Sequence, residues 1–268
     1  MGTSTNYSGS AKWGPTKSET TRVGGEGYVT PQKAESIVSN FVDQMIRAPQ
    51  LGFGAPLSSR GSGSGGGGGS GGGGVSGGGG GGTLRSSGSA RTVARGIGSF
   101  LADVRSKGFR EALAERGLTN LAGRSPDEIA LELADLLGGP SSLIEQAALR
   151  GALIELVLKW SEGVPEIEGL SESVMEVAQN IEGALHDFFG HYILEVFKTV
   201  GYQGVLAAHG FEKAESMAAQ IRDFIDAKIS GLEASRALSS VDWTGTDGAA
   251  IVDEIVDDTI AIFGGGQQ

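Results

Sequence analysis

The stretch HDFFGHY, residues 186–192, holds two of the chain's three histidines. His186 and His191 stand five positions apart, which sets them about 140° apart around a helix. A metal pair on a helix needs i,i+4 spacing on one face. A phosphohydrolase of the HD type needs further His and Asp ligands, and the one histidine left is His209. The spacing therefore favours core or interface histidines; a hydrolytic effector built on His186 and His191 is the competing reading. DWTGTDG, Asp242 to Gly248, lacks the alternating ligands and terminal glutamate of a calcium loop, and Asp247 reads as a helix cap. Cysteine is absent, which excludes a thiol nucleophile, a thiolate metal site and a disulfide framework. The glycine block lacks the Lys-Ser/Thr ending of a phosphate loop. No motif implies a metal or a cofactor, and the chain reads as a non-enzyme.

The N-terminus carries the remaining reactive group. The chain begins MGTSTNYSGS. A small second residue permits removal of the initiator methionine and leaves the α-amine of Gly2. Such an amine has a reference pKa of about 7.7–8.0, so an appreciable fraction is neutral and nucleophilic at cellular pH. Myristoylation is excluded, because Asn6 stands where Ser or Thr is required. The bland alternative is a glycine without consequence on a disordered end.

Residues 1–29 are polar, lack an apolar period and read as a disordered arm. The isolated Tyr7, Trp13, Val23 and Tyr28 are either recognition anchors or incidental. A short amphipathic helix is predicted over 30–48, with Thr30 as cap, Pro31 in first position and Ala34, Ile37, Val38, Phe41, Val42 and Met45 as its stripe. It docks either on the chain's own core or on a partner. Residues 49–90 form a Gly/Ser-rich linker; 61–82 alone hold 17 glycines and span roughly 25 Å as a flexible tether. That predicts free movement of everything before residue 61.

Residues 91–263 read as an acidic all-α domain. Apolar residues recur at helical spacing from Val93 to Leu113, with a break near Gly108. Ser125-Pro126-Asp127-Glu128 forms a capping box, and Ser142 with Glu145 a second. LIEQAALRGALIELVLKW is the most apolar stretch and is predicted as the central helix; its charges rule out a membrane span. The following stretch, to Gly201, is predicted as a helix with a candidate interruption at Gly190. The last helix, 247–263, places Asp253, Glu254, Asp257 and Asp258 on a solvated face. The fold predicted is an all-α helical bundle of about six helices, with a disordered N-terminal arm and a Gly-rich linker.

The net charge is −11. The first 90 residues stand at +3 (7 Lys/Arg against 4 Asp/Glu) and the rest at −14 (14 against 28). An acidic body repels phosphates, so direct nucleic-acid binding is excluded for the folded part. Its acidity either attracts a basic protein partner or keeps the domain soluble. With no secretory signal and no cysteine, a cytoplasmic location is expected.

Three segments together resemble a known family: the MGTSTNYSGS start, the Gly/Ser segment, and SARTVARGIGSFLADVRSKGFREALAERGLTNLAGRSPDEIALELADLLGG with the acidic helical end. They are similar to QatB, a component of the bacterial Qat anti-phage defence system. The most specific parts are the MGTS start and L-x-x-L-A-G-R-x-x-x-E-I from Leu118 to Ile129. Helix 30–48 has no match in the family pattern. The resemblance implies three partners: an ATPase, a QueC-like enzyme (QatC-type) and a TatD-like nuclease. QueC adenylates the carboxylate of a 7-deazaguanine and delivers ammonia to it. By extension, the QueC-like partner would pass that carboxylate to the amine of Gly2, with Thr3, Ser4, Thr5, Asn6 and Tyr7 as the residues it recognises. The alternative is a scaffold that holds the ATPase and the nuclease together and is never modified.

Overall fold

The computed structural model describes residues 13–47, 89–119, 124–138, 143–164, 166–232, 236, 238 and 241–263, but not the side chains of 45–47, 126, 130, 138 and 143–146. The helices, in chain order, are α1 (Gly14–Gly25), α2 (Pro31–Arg47), α3 (Ser89–Lys107), α4 (Phe109–Ala114), α5 (Pro126–Gly138), α6 (Leu143–Ser161), α7 (Ile167–Val177), α8 (Ile181–Phe197), α9 (Gln203–His209), α10 (Phe211–Ile229) and α11 (Thr246–Phe263). A π-helical turn, Lys198–Tyr202, joins α8 to α9. Among the described residues there is no strand, and no helix is long and apolar enough to cross a membrane. The fold is all-α. The break at Asn180 divides the stretch predicted as one helix to Gly201, and α1, α4 and α9 are further short segments, so the segments outnumber the expected six.

Local sequence explains the breaks. Gly108 has φ +94°, a left-handed conformation that other residues adopt only at a cost, and it ends α3 where the expected break lies. The Ser125 hydroxyl accepts from the Glu128 amide (3.2 Å), and the Glu128 carboxylate accepts from the Ser125 amide (2.9 Å), completing the first capping box. The second, at Ser142 and the Glu145 side chain, lies outside the described residues. Asn180 caps α8 by accepting from the Gly183 amide (3.0 Å). The chain runs through Gly190 without interruption. At the start of α11 the turn belongs to Asp242, which accepts from the Thr244 amide and hydroxyl (3.0 and 2.7 Å) and the Gly245 amide (3.2 Å). Asp247 sits in the helix's first turn, where its charge suits the helix dipole.

The central helix is α8, not α6. Fourteen of its seventeen residues are buried, and α2, α3, α6, α10 and α11 all pack against it. Its aromatics Phe188, Phe189, Tyr192 and Phe197 fill the core all round. α6 lies between α5 and α8 and leaves Arg150, Leu158 and Lys159 exposed. Phe188 stacks on Tyr192 within α8, at 6.4 Å between centroids.

The largest departure from expectation is at the N-terminal end. Residues 14–25 form α1 rather than part of a disordered arm. Trp13 is 2 % exposed, and Thr16, Thr20, Val23 and Gly24 make the buried face behind it. Threonines and a glycine carry no apolar period, so the stripe is invisible to a hydropathy reading. α2 buries Ala34, Ile37, Val38, Phe41 and Val42 on the chain's own core. Phe41 meets Trp13 at 5.3 Å and Phe197 of α8 at 5.5 Å.

Polar contacts fix the same pair. The His209 Nε2–H donates to the Thr21 carbonyl (2.8 Å), Lys213 donates to the Gly25 carbonyl (2.6 Å), and the Val29 amide donates to Gln220 (2.7 Å). At Gly24 a Cβ would stand 2.5 Å from Val205 Cγ1, so glycine is what lets α1 approach α9 this closely. Residues 48–88 therefore join two helices that are both docked on one core. The expected free movement is overturned for residues 13–47.

Candidate functional site

Three places in the chain held candidate chemistry: the N-terminal residues Gly2, Thr3, Ser4, Thr5, Asn6 and Tyr7; the three histidines; and the acidic face of the last helix. The N-terminal six lie outside the described residues, as do residues 48–88 within the linker.

The structure sends the three histidines to three different neighbours. His209 ends α9 and holds α1. His186 is buried between α8 and α11. The Thr259 hydroxyl donates to the Ile255 carbonyl (2.7 Å), so His186 Nδ1–H donates to the Thr259 oxygen (2.9 Å). One turn back, Glu182 is 2 % exposed. Its carboxylate takes a hydrogen bond from the Arg236 guanidinium and another from the Arg236 amide (2.7 Å). Arg236 also reaches Asp258 (2.8 Å) and Glu254 (3.4 Å) on α11. A buried carboxylate held this way ties Arg236 to α8 and α11, and its removal from water is offset by charge-assisted bonds. Asp258 and Glu254 are thus tied into a network rather than freely solvated. Asp253 departs further from the expected solvated face, being 9 % exposed and paired with Arg91 of α3 (2.5 Å).

His191 faces the other way, towards α6 and α10. It lines a pocket of about 840 Å³ together with Glu155, Leu158 and Lys159 of α6, the loop from Glu162 to Val164, and Arg222 and Asp226 of α10. Arg222 binds Glu155 through two bonds (2.9 and 3.0 Å), and Lys198 adds a third (3.3 Å). The Arg222 guanidinium holds the Glu155 carboxyl down at about 2. No group of three or more His, Asp or Glu residues able to hold a metal ion occurs among the described residues.

Burial pushes both His186 and His191 below the ordinary imidazole range, against the raising effect of nearby carboxylates. Both are then neutral in the fold near pH 7. Below the unfolded value of about 6.5 the unfolded chain takes up protons that the fold refuses, so stability falls with pH until the folded values are passed. Urea unfolding between about pH 7 and pH 5.5 should show this fall, and His186→Gln should flatten part of it. An unchanged slope would mean that His186 titrates alike in both states.

A family model for the Qat anti-phage system associated protein QatB matches residues 78–263, more than half of the chain. The match spans α3 to α11; α1 and α2 lie outside it and yet pack on its helices. Comparison with curated proteins and with solved structures finds no match. The central α8, the Glu182–Arg236 network and the His191 pocket all fall within the matched span, and on that span the chain belongs to the QatB family.

Proposed function

We propose that this Qat component is a non-enzymatic protein that docks on a QueC-like partner and presents Gly2 as the acceptor of a 7-deazaguanine-type modification. The observation that supports this reading most is the docked α1. Trp13 is buried on the body, so the twelve residues ahead of it leave from a fixed point. A partner bound to the acidic body would meet that short segment at a raised effective concentration.

The chemistry balances with ATP as the named co-reactant. The partner converts the nucleobase carboxylate to an acyl-adenylate and releases pyrophosphate. The neutral Gly2 amine attacks the carbonyl carbon, AMP leaves, and the amine gives up a proton to form an amide. The reference pKa of an α-amine supplies enough of the neutral form at cellular pH.

The test is co-expression of the full chain with the QueC-like enzyme, followed by intact-mass measurement. A mass increase of one acylated nucleobase is expected, dependent on the partner. No increase in the presence of active partner counts against the reading.

A further inference from the structure

The helix behind the N-terminal segment is weakly built. α1 is twelve residues long, at the lower limit for a helix that stands alone, and its sequence GPTKSETTRVGG holds three threonines, three glycines and a proline. Trp13 at its N-cap makes no side-chain capping bond, and no acidic residue stands in its first turn. Docking on the body is therefore what keeps it helical. That docking buries two sizeable apolar side chains, Trp13 and Val23, where α2 buries Ala34, Ile37, Val38, Phe41 and Val42.

Polar bonds near its surface add to this hold. His209 and Lys213 donate to the Thr21 and Gly25 carbonyls, and Ser36 and Asn40 of α2 donate to the Glu19 carboxylate (3.2 and 2.9 Å). Just beyond α1 the chain is anchored again: Val29 is buried, and its amide is bound to Gln220. Between these anchors Gly27 has φ +81° with open space where a Cβ would stand, and Tyr28 is exposed. Glu26 pairs with Arg22 and Lys33 at exposed positions, where ion pairs contribute little. The turn 26–28 thus stands clear of the core, between two docked elements held with unequal strength.

We infer that α1 is a hinged latch that opens at Gly27 while α2 stays on the core. Opening withdraws Trp13 from Phe41 and Gly24 from Val205, and leaves α8 packed. Within one fold the elements that open first are those with few buried apolar contacts, and α1 is such an element. Closed, the latch leaves twelve residues ahead of Trp13. Open, the segment leaves from Val29 and is twenty-eight residues long. Effective concentration falls roughly as the −3/2 power of tether length, so the open state presents the N-terminus about fourfold more dilutely. That consequence rests on the acceptor reading of Gly2; the latch itself does not.

Hydrogen exchange on the full chain without any partner reads the latch, so its failure and that of the acceptor role are distinguishable. In the wild-type chain α1 amides should exchange at least about tenfold faster than those of α2 and α8. Gly163→Ala places a side chain at φ +73° in the loop after α6, with open space for its Cβ. It should speed exchange through global unfolding about tenfold, the scale of one left-handed residue, and leave α1 within about twofold. Gly27→Ala carries the same strain at the pivot, where opening relieves it, so α1 should exchange about tenfold faster. A staple closes the latch. A Cβ at Gly24 would stand 2.5 and 2.9 Å from the two Val205 methyls, which brings the two Cβ positions within disulfide reach in a chain free of cysteine. Gly24→Cys with Val205→Cys, once oxidised, should slow α1 to the rate of α2, and reduction should restore fast exchange. An α1 that responds to Gly163→Ala as α8 does, or that exchanges no faster than α2, overturns the proposal. So does an α1 unmoved by Gly27→Ala, or a staple that slows α2 as much as α1.

Discussion

Gly2→Leu should abolish both the covalent mark and phage defence while leaving the fold intact. A bulky second residue keeps Met1 in place, so the acceptor amine moves by one residue and carries a different side chain. Reacting atoms misplaced by even about 1 Å lose rate by about 100-fold, so labelling should fall at least that far. Gly2→Ala is the informative companion. It still frees an α-amine on a small residue, so labelling should persist at a reduced rate. Neither change touches the described core, and unfolding curves should match the wild type. If Gly2→Leu defends as well as the wild type, the scaffold reading takes over: the body would hold the ATPase and the nuclease together without being modified.

Trp13→Ala should cost about 3–5 kcal/mol of stability, the usual range for emptying a buried aromatic site. Trp13 is 2 % exposed and packs on Phe41, which in turn meets Phe197 of the central helix. The loss should be uneven. Hydrogen exchange should rise in α1 and α2, while α8 keeps most of its protection. Urea unfolding gives the magnitude and exchange the location. The same variant bears on function, because releasing α1 frees the point from which the preceding residues leave. Labelling of Gly2 should slow although Gly2 is untouched. Unchanged exchange in α1 would show that Trp13 is not its anchor.

These two results separate the end of the chain from its body, and that separation runs against a plain hydropathy reading. The all-α class was legible, because Val93 through Leu113 and the stripe of α2 repeat at helical spacing. The capping box at Ser125 and Glu128 and the break at Gly108 were legible too, since each is a local pattern with a local cause. α1 was not. Its buried face is Trp13, Thr16, Thr20, Val23 and Gly24, held by close backbone approach at Gly24 rather than by apolar bulk. The choice of α6 as the central helix failed for a different reason: α8 is central because α2, α3, α6, α10 and α11 all pack on it, and contacts between helices so far apart in sequence leave no local pattern.

The candidate sites divide the same way. The five-residue spacing of His186 and His191 already implied separate faces, and the structure gives one to α11 and the other to the pocket between α6 and α10. What paired with each could not be read, because Thr259, Arg222 and Asp226 are far away in sequence. The burial of Asp253 was missed because its partner, Arg91, lies on α3, more than 150 residues away.

The most direct measurement is tandem mass spectrometry of the N-terminal peptide from the full chain co-expressed with the QueC-like partner. Loss of Met1 and a nucleobase-derived acyl group on the α-amine of Gly2 are expected, the acyl group being absent when the partner is left out. A Gly2 that stays unmodified beside an active partner, or a mark found on a lysine instead, would contradict the acceptor role.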